Sequence, residues 1–188
     1  MTTFHVLGLC GSLRRQSLNR HALHAAAACL PEGLEFTEAR HDDVPLFNQD
    51  VQDAGMPAPV TRLGDQIRAA DALLIASPEY NFSISGVLKN TIDWLTRLPQ
   101  QPFKDKPVAI LSATMGPLGG GRHQYELRKI LGSQDALVLT RPEVFVNFAH
   151  TKFDAQGQLT DEATRKVLAD QMSAFARWIG RLRPREQP

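Results

Sequence analysis

The chain has 188 residues, of which 43% are hydrophobic and 22% charged, so it is long enough to bury one complete core and barely long enough for two. Its 21 lysines and arginines against 20 acidic residues give a formal net charge of +1, which argues against nucleic acid and anionic membrane surfaces as partners. Two cysteines make no disulfide framework, and no apolar run approaches the ~18 residues of a spanning helix, so we expect a single cytoplasmic domain over residues 1–188.

Short apolar runs predict the strands of a buried sheet. Segments 4–10, 72–76 and 108–111 are almost wholly apolar and too brief for helices, which is typical of parallel strands covered on both faces. Segment 34–39 alternates in polarity, as a strand near a sheet edge does, and segment 136–140 is a fifth candidate. The chain therefore offers five strands.

Helical periods fill the intervals between these strands. Apolar stripes predict helices over 18–29, 60–70, 88–98 and 126–131, and a long last helix that starts after Thr160 and carries its stripe over 168–182. Segment 42–59 contains three prolines and a glycine, so we expect a long loop there.

The alternation of strands and helices predicts an α/β fold. Each right-handed crossover returns a helix to one face of a parallel sheet, which gives a three-layer sandwich with helices on both faces. Five strands favour the flavodoxin-like order 2-1-3-4-5. Ligands of such sheets bind beyond the carboxyl ends of the strands, where the strand order reverses between strands 1 and 3.

The loop after the first strand has the composition of an anion-binding site. Segment 11–20 leads into the first helix, whose unpaired N–H groups and positive dipole end favour a phosphate. Its polar residues are Ser12, Arg14, Arg15, Ser17, Asn19 and Arg20. Ser17 could merely cap the helix, with the arginines in solvent, but capping needs only one residue. The loop lacks both the Gly-Lys-Ser/Thr of nucleoside-triphosphate sites and the full dinucleotide fingerprint.

Two further loops follow the strands that neighbour the first in the predicted order. Segment 77–86 contains Tyr80 and Phe82, whose rings could border a flat heterocycle or could instead fold into the core around an ordinary turn. Segment 112–122 contains four glycines, which permit close backbone approach to a ligand but equally serve flexible turns. Together the three loops predict a site for a phosphorylated planar ring.

Three of these segments carry a family resemblance. The sequence reads CGSLRRQSLNR at 10–20, PEYN at 78–81 and LKNTIDW at 88–94. In this order and spacing it resembles the NADPH-dependent FMN reductase family, which includes bacterial quinone, azo-dye and chromate reductases. The similarity extends from the first strand to the glycine-rich loop.

The resemblance implies three groups of contacts with FMN. The phosphate would be held by Ser12, Arg14, Ser17 and Asn19. The isoalloxazine would be bordered, largely through backbone groups, by Pro78, Glu79, Tyr80 and Asn81. Its other side would be closed by Ser112 and Gly116. The chain departs from the family at Ser85, where proline is usual, and this predicts a less rigid second loop.

The resemblance also implies the reaction. NADPH or NADH would pass hydride to FMN, and the two electrons would then go, in a ping-pong cycle, to a small acceptor of the quinone, azo, nitro, flavin or metal-oxyanion class. No side chain need act as nucleophile or acid, because the flavin carries the chemistry. A homodimer or homotetramer is expected. Arg122 and Tyr125 could contact either the nicotinamide donor or a neighbouring subunit.

Two other functions remain open at this point. A flavodoxin-type electron carrier would share the fold, but such carriers are expected to be strongly acidic, and the charge of +1 argues against one. A regulatory nucleotide-binding module without catalysis would be distinguished only by turnover. Metal chemistry is not expected, because His21 and His24 lack a third ligand, and Cys10 is interpreted as a packed thiol.

Overall fold

A computed structural model describes residues 3–182 of the chain. Its main sheet is parallel and contains β1 (Phe4–Cys10), β2 (Leu34–Ala39), β3 (Ala72–Ala76), β6 (Pro107–Ala113), β7 (Leu137–Val138) and β8 (Val144–Val146). A separate antiparallel hairpin is formed by β4 (Glu79–Tyr80) and β5 (Ser83–Ile84). The sheet runs β2-β1-β3-β6, and β7 and β8 both pair with β6 on the far side. The predicted flavodoxin-like order 2-1-3-4-5 is therefore confirmed, with its fifth position divided between two short strands.

The helices lie between these strands as the sequence predicts, with one addition. They are α1 (Leu18–Ala27), α2 (Gln49–Ala54), α3 (Ala58–Ala69), α4 (Gly86–Leu95), α5 (Gly121–Gly132) and α6 (Glu162–Leu182), and a 3-10 helix covers Ala149–Thr151. Helix α2 lies inside the segment that was expected to be entirely loop. It begins after Asn48, whose side-chain oxygen accepts a hydrogen bond of 2.9 Å from the N–H of Asp50 and so caps the helix.

Alternate residues of each strand face two separate cores. Leu7 of β1 packs in the core shared with α3, α4 and α5, whereas its neighbour Val6 packs in the core shared with α1 and α6. The same alternation places Leu73 and Leu74 of β3 on opposite faces. Because both faces are covered, almost every residue of the central strands is buried, which is why their sequences read as unbroken apolar runs.

The fifth position of the sheet is interrupted at Pro142. Strand β7 pairs with the start of β6 and β8 with its end, and the chain leaves the sheet between them at a proline that has no N–H to donate. Gln171 of α6 bridges the break, because its buried amide donates to the carbonyls of Ile110 and Pro142, each at 3.0 Å. The predicted strand 136–140 corresponds to β7 alone.

The parallel register brings the carboxyl ends of three strands together. Cys10 at the end of β1 pairs with Ala76 at the end of β3, and Ala76 pairs in turn with Leu111 of β6. The loops that follow these strands therefore meet at one edge of the sheet. Among residues 3–182, no helix combines the length and the apolar composition needed to cross a bilayer.

Candidate functional site

A pocket of about 220 Å³ opens at the edge where β1, β3 and β6 end. It is lined by Ser12, Arg14, Ser17, Leu18, Asn19, Pro78, Glu79, Tyr80, Ala113, Thr114 and Met115. The loops that follow β1 and β3 thus contribute most of their predicted binding residues to one cavity. The third loop contributes Ala113, Thr114 and Met115, and the predicted Ser112 and Gly116 lie outside the lining.

One end of this pocket is formed by the amino terminus of α1. Ser17 has extended backbone angles and caps the helix, since its Oγ accepts a hydrogen bond of 3.4 Å from the N–H of Arg20. The Oγ of Ser12 accepts one of 3.4 Å from the N–H of Arg14. Within residues 3–182 the exposed guanidinium of Arg14 has no carboxylate partner. A free cation, two hydroxyls and a helix dipole therefore converge on the same space.

Asn19 joins this loop to the end of β6. Its Nδ2 donates to the carbonyl of Ala113 and its Oδ1 accepts from the N–H of Ala113, both at 2.9 Å, in a buried environment. A side-chain amide has two donor hydrogens, so one remains for a ligand in the pocket. The residue both lines the pocket and fixes the distance between two of its walls.

The second loop forms a hairpin that stands over the pocket. Asn81 and Phe82 have φ of 49° and 69°, and two consecutive positive values are typical of the tight turn that suits a two-residue hairpin. The side chains of Tyr80 and Phe82 are 56% and 66% exposed, so they do not fold into the core. Tyr80 lines the pocket, whereas Asn81 lies at the turn and outside the pocket lining.

An ion pair fastens this hairpin to α5. The Nε of Arg122 donates to Oε1 of Glu79 at 2.6 Å, and its guanidinium lies 3.7 Å from the centre of the Phe82 ring. The N–H of His123 donates to the other oxygen of Glu79 at 3.3 Å. Arg122 therefore contacts the hairpin of its own chain, while the hydroxyl of Tyr125 donates to Glu143 at 3.4 Å.

The Glu79 carboxylate is held ionised by these contacts. Its burial opposes ionisation, but the hydrogen bonds from Arg122 and from the His123 N–H outweigh burial and keep the pKa of Glu79 below its usual value. A carboxyl whose pKa is lowered by folding stabilises the protein above its unfolded pKa, and that stabilisation is lost as the pH falls through its folded pKa.

The pH dependence of unfolding measures this contribution. We expect the wild type to lose more unfolding free energy than Glu79→Gln between about pH 5 and pH 3, because the amide does not titrate. Urea unfolding at several pH values gives both curves. Arg122→Gln removes the partner of Glu79 and keeps the carboxyl. The unfolding free energy that this variant loses between about pH 5 and pH 3 should therefore be closer to the loss in Glu79→Gln than the wild-type loss is. Parallel curves for the wild type and Glu79→Gln would show that folding leaves this carboxyl unperturbed.

The third loop is shaped by Ser112 from beneath. Its buried hydroxyl donates to the carbonyl of Gly119 at 2.6 Å and accepts from Nε2 of Gln124 at 2.7 Å, and the residue does not line the pocket. Gly116 also lies outside the lining, and its carbonyl accepts from the N–H of Phe148 at 3.3 Å. That Ser112 and Gly116 close the FMN site stays a prediction from the resemblance.

Ser85, the departure from the family pattern, connects the first two loops. Its Oγ accepts from the N–H of Leu88 at 3.2 Å and so caps α4, and its hydroxyl donates to the carbonyl of Gly11 at 2.6 Å. A proline could make neither side-chain bond. In this chain a pair of hydrogen bonds therefore constrains the segment in place of a pyrrolidine ring.

The remaining polar candidates have structural partners. His24 contacts the Glu38 carboxylate through Nε2 at 2.7 Å, and no group of His, Cys, Asp or Glu within residues 3–182 is arranged to hold a metal ion. Cys10 is buried and its thiol donates to the carbonyl of Ser12 at 3.6 Å. Burial raises the pKa of this thiol, which favours the neutral form.

The two ends of the pocket differ in chemistry, as the two ends of FMN do. One end offers the guanidinium of Arg14, serine hydroxyls and a helix amino terminus, all of which suit a phosphate. The other has the exposed Tyr80 and Met115 at its rim, which suit the face of an aromatic ring. The carboxylate nearest the ring end, Glu79, is already neutralised by its ion pair.

Comparisons with known proteins agree with this chemistry. A sequence model of the NADPH-dependent FMN reductase family matches residues 4–151. The chain is 48% identical over 178 residues to an NAD(P)H-dependent FMN reductase of Pseudomonas aeruginosa, a match that covers 95% of this chain and 96% of the relative. It is 42% identical over 181 residues to a quinone reductase of Escherichia coli K12, again covering 95% and 96%.

A solved structure supports the fold at similar coverage. The flavoenzyme NAD(P)H:(acceptor) oxidoreductase FerB of Paracoccus denitrificans superposes with a TM-score of 0.87 at 34% identity. The superposition covers 95% of this chain and 98% of that one. The parallel sheet and its covering helices are therefore shared with a flavin-dependent reductase over nearly the full length of both chains.

Proposed function

The chain belongs to the NADPH-dependent FMN reductase family, and from that premise we propose that it reduces quinones with electrons from NADPH or NADH in a ping-pong cycle. It is an NAD(P)H-dependent oxidoreductase that uses FMN. The observation that carries the proposal is the pocket where β1, β3 and β6 end, because it joins a phosphate cradle to an aromatic rim.

In this proposal the loop 11–20 anchors the cofactor. Arg14 would grip the FMN phosphate with two hydrogen bonds, and the hydroxyls of Ser12 and Ser17 would add further donors at the amino terminus of α1. Asn19 would donate its remaining amide hydrogen. These residues bind and orient the cofactor and move no proton or electron during turnover.

The hairpin and the third loop would border the ring. Pro78, Glu79 and Tyr80 line the pocket on one side and Thr114 and Met115 on the other, so the ring would lie between backbone segments whose positions are fixed by hydrogen bonds. We keep Asn81, Ser112 and Gly116 as predicted contacts of the same site. The bound FMN would supply the redox chemistry by carrying two electrons at a time from NAD(P)H to the acceptor.

The rim favours a flat, apolar acceptor. Two large side chains that line the pocket, Tyr80 and Met115, are strongly exposed, as is Phe82 at the turn of the same hairpin. A quinone ring could pack against such surfaces after the nicotinamide has left, and both substrates would then use one face in turn. This shared face is the structural reason to expect ping-pong kinetics.

Steady-state kinetics test the proposal. With FMN-loaded protein, varying NADPH at several fixed concentrations of a benzoquinone should give parallel double-reciprocal lines, and NADH should be compared in the same assay. Intersecting lines would contradict the proposal that both substrates use the same face in turn. A protein that binds FMN and oxidises neither nucleotide would instead be an electron carrier or a binding module.

We also propose a cytoplasmic enzyme that forms a homodimer or homotetramer. The exposed apolar side chains around the pocket support an assembly, because a second copy would cover surface that is costly to leave in water. Light scattering of the purified protein measures its mass in solution. A mass of one chain at micromolar concentration would rule the assembly out.

A further inference from the structure

A second pocket lies on the other side of the loop 11–20. It has a volume of about 360 Å³ and is lined by Cys10, Leu13, Arg15, Arg20, Glu38, Ala39, Arg40, His41 and Asp42. It opens where β1 and β2 end, and it shares no lining residue with the pocket proposed for FMN. Its volume is in the range of small-molecule sites.

The two adjacent arginines of the loop belong to different pockets. Arg14 lines the pocket proposed for FMN, whereas Arg15 lines the second one. Within residues 3–182 the side chain of Arg15 is exposed and has neither an ion pair nor a hydrogen bond. A cation with unsatisfied donors therefore faces each side of the loop.

The other charged groups of the second pocket keep part of their bonding capacity. Arg20 uses its Nε on Glu38 at 2.9 Å, and Arg40 uses Nε and Nη2 on Asp42 at 3.1 and 2.8 Å. Each guanidinium has five N–H donors, so several remain. The Glu38 carboxylate contacts Arg20 and His24 and has about two further acceptor positions.

The lining of the second pocket also includes apolar groups and a buried histidine. Leu13 and Ala39 contribute apolar surface, and His41, only 4% exposed, donates from Nε2 to the carbonyl of Cys10 at 2.8 Å. Burial lowers the pKa of His41, so its ring is neutral and the positive charge of the pocket comes from arginine alone. Cations, carboxylates and apolar surface together suit a ligand that carries anionic, hydroxylic and apolar parts.

We propose that this second pocket binds a phosphorylated ribonucleoside. Arg15, with Arg20 or Arg40, would hold its phosphate, and a free oxygen of Glu38 would accept from a remaining ribose hydroxyl. Dinucleotide-binding sheets place their ribose-binding groups at a similar position, where a carboxylate takes the 2′-hydroxyl of NAD or an arginine takes the 2′-phosphate of NADP. Here Glu38 and Arg40 lie at the end of β2, beside the loop that follows β1.

Two sources could supply this chemistry. One is the 2′-phosphoadenosine end of NADPH, a reading that rests on the proposed function, and the other is a free nucleoside monophosphate. Calorimetric titration of the FMN-loaded protein with 2′,5′-ADP and, separately, with 5′-AMP distinguishes them. Because FMN fills its own phosphate site, binding reports on the second pocket.

The variant Arg15→Gln removes a donor that has no partner among residues 3–182, so the fold should be unaffected. We expect Arg15→Gln to lower the affinity for the nucleotide about tenfold. The control Lys104→Gln removes the same charge near the opposite end of the sheet and should leave the affinity unchanged. Tighter binding of 2′,5′-ADP than of 5′-AMP, with a matching loss of NADPH over NADH selectivity in Arg15→Gln, would identify the donor.

Equal binding of both nucleotides, weakened alike by Arg15→Gln, would support the pocket and assign it to free nucleotides. The inference is overturned if neither nucleotide binds at millimolar concentration or if Arg15→Gln binds both as tightly as the wild type. These titrations need no turnover. A protein that fails to oxidise NAD(P)H would therefore refute the proposed function, and the titrations would still show whether the second pocket binds a nucleotide.

Discussion

Replacing Arg14 by alanine is expected to weaken FMN binding by at least about tenfold while leaving the protein without cofactor as stable as the wild type. The guanidinium is exposed and has no carboxylate partner within residues 3–182, so its removal breaks no contact of the folded chain. A charge-assisted bond to phosphate contributes about 1.5–3 kcal/mol, and 1.4 kcal/mol corresponds to a factor of ten in Kd. Titration of apoprotein into FMN, followed by flavin fluorescence, gives Kd directly.

Arg177→Ala is the matched control for this change. Arg177 is an exposed residue of α6, on a helix that contributes nothing to the pocket, and the substitution removes the same charge. Thermal melts should agree with the titrations, because a ligand that binds only the native state stabilises it by an amount that grows with the logarithm of the ligand concentration divided by Kd. Unchanged FMN affinity in Arg14→Ala would remove this arginine from the cofactor site.

The pocket could be located from the sequence because its signal is local. A helix amino terminus, hydroxyls and arginine within ten residues predict an anion site, and the strand order predicts the edge of the sheet at which the pocket is found. The strands β1, β2 and β3 were predicted with their observed bounds, because the buried strands β1 and β3 are apolar runs and the half-exposed β2 alternates in polarity.

Features that depend on long-range contacts could not be predicted. The hairpin of β4 and β5 has strands of two residues, too short for any periodicity, and nothing local in the sequence indicates that Arg122 is the partner of Glu79. The sequence also did not predict that residues of the loop 11–20 line two different pockets. Sequence spacing cannot show that Arg14 and Arg15 face different cavities, because this depends on the path of the chain.

Asn19 shows how one residue can combine a predicted and an unpredicted role. The sequence and the family resemblance assign its amide to the FMN phosphate. In the structure the same amide uses its oxygen and one hydrogen on the backbone of Ala113, and so fastens α1 to the end of β6. A substitution here therefore acts on the fold and on the pocket at once.

Replacing Asn19 by alanine is expected to lower the free energy of unfolding by about 2–4 kcal/mol, because it leaves the buried N–H and C=O of Ala113 without their partner. For a chain of this length the melting temperature would fall by about 5–15 °C. Urea unfolding of the cofactor-free protein measures the loss without any contribution from FMN.

The comparison with Arg14→Ala separates the two roles of Asn19. Arg14 lies in the loop before α1 and Asn19 in the first turn of that helix. Only Asn19→Ala removes the hydrogen bonds to Ala113, so only this substitution should destabilise the protein without cofactor. FMN affinity should fall in both variants, and in Asn19→Ala it should fall further because Ala113 and Thr114 line the same pocket and lose their anchor. A cofactor-free Asn19→Ala protein as stable as the wild type, with weakened FMN binding, would assign the amide to the phosphate alone.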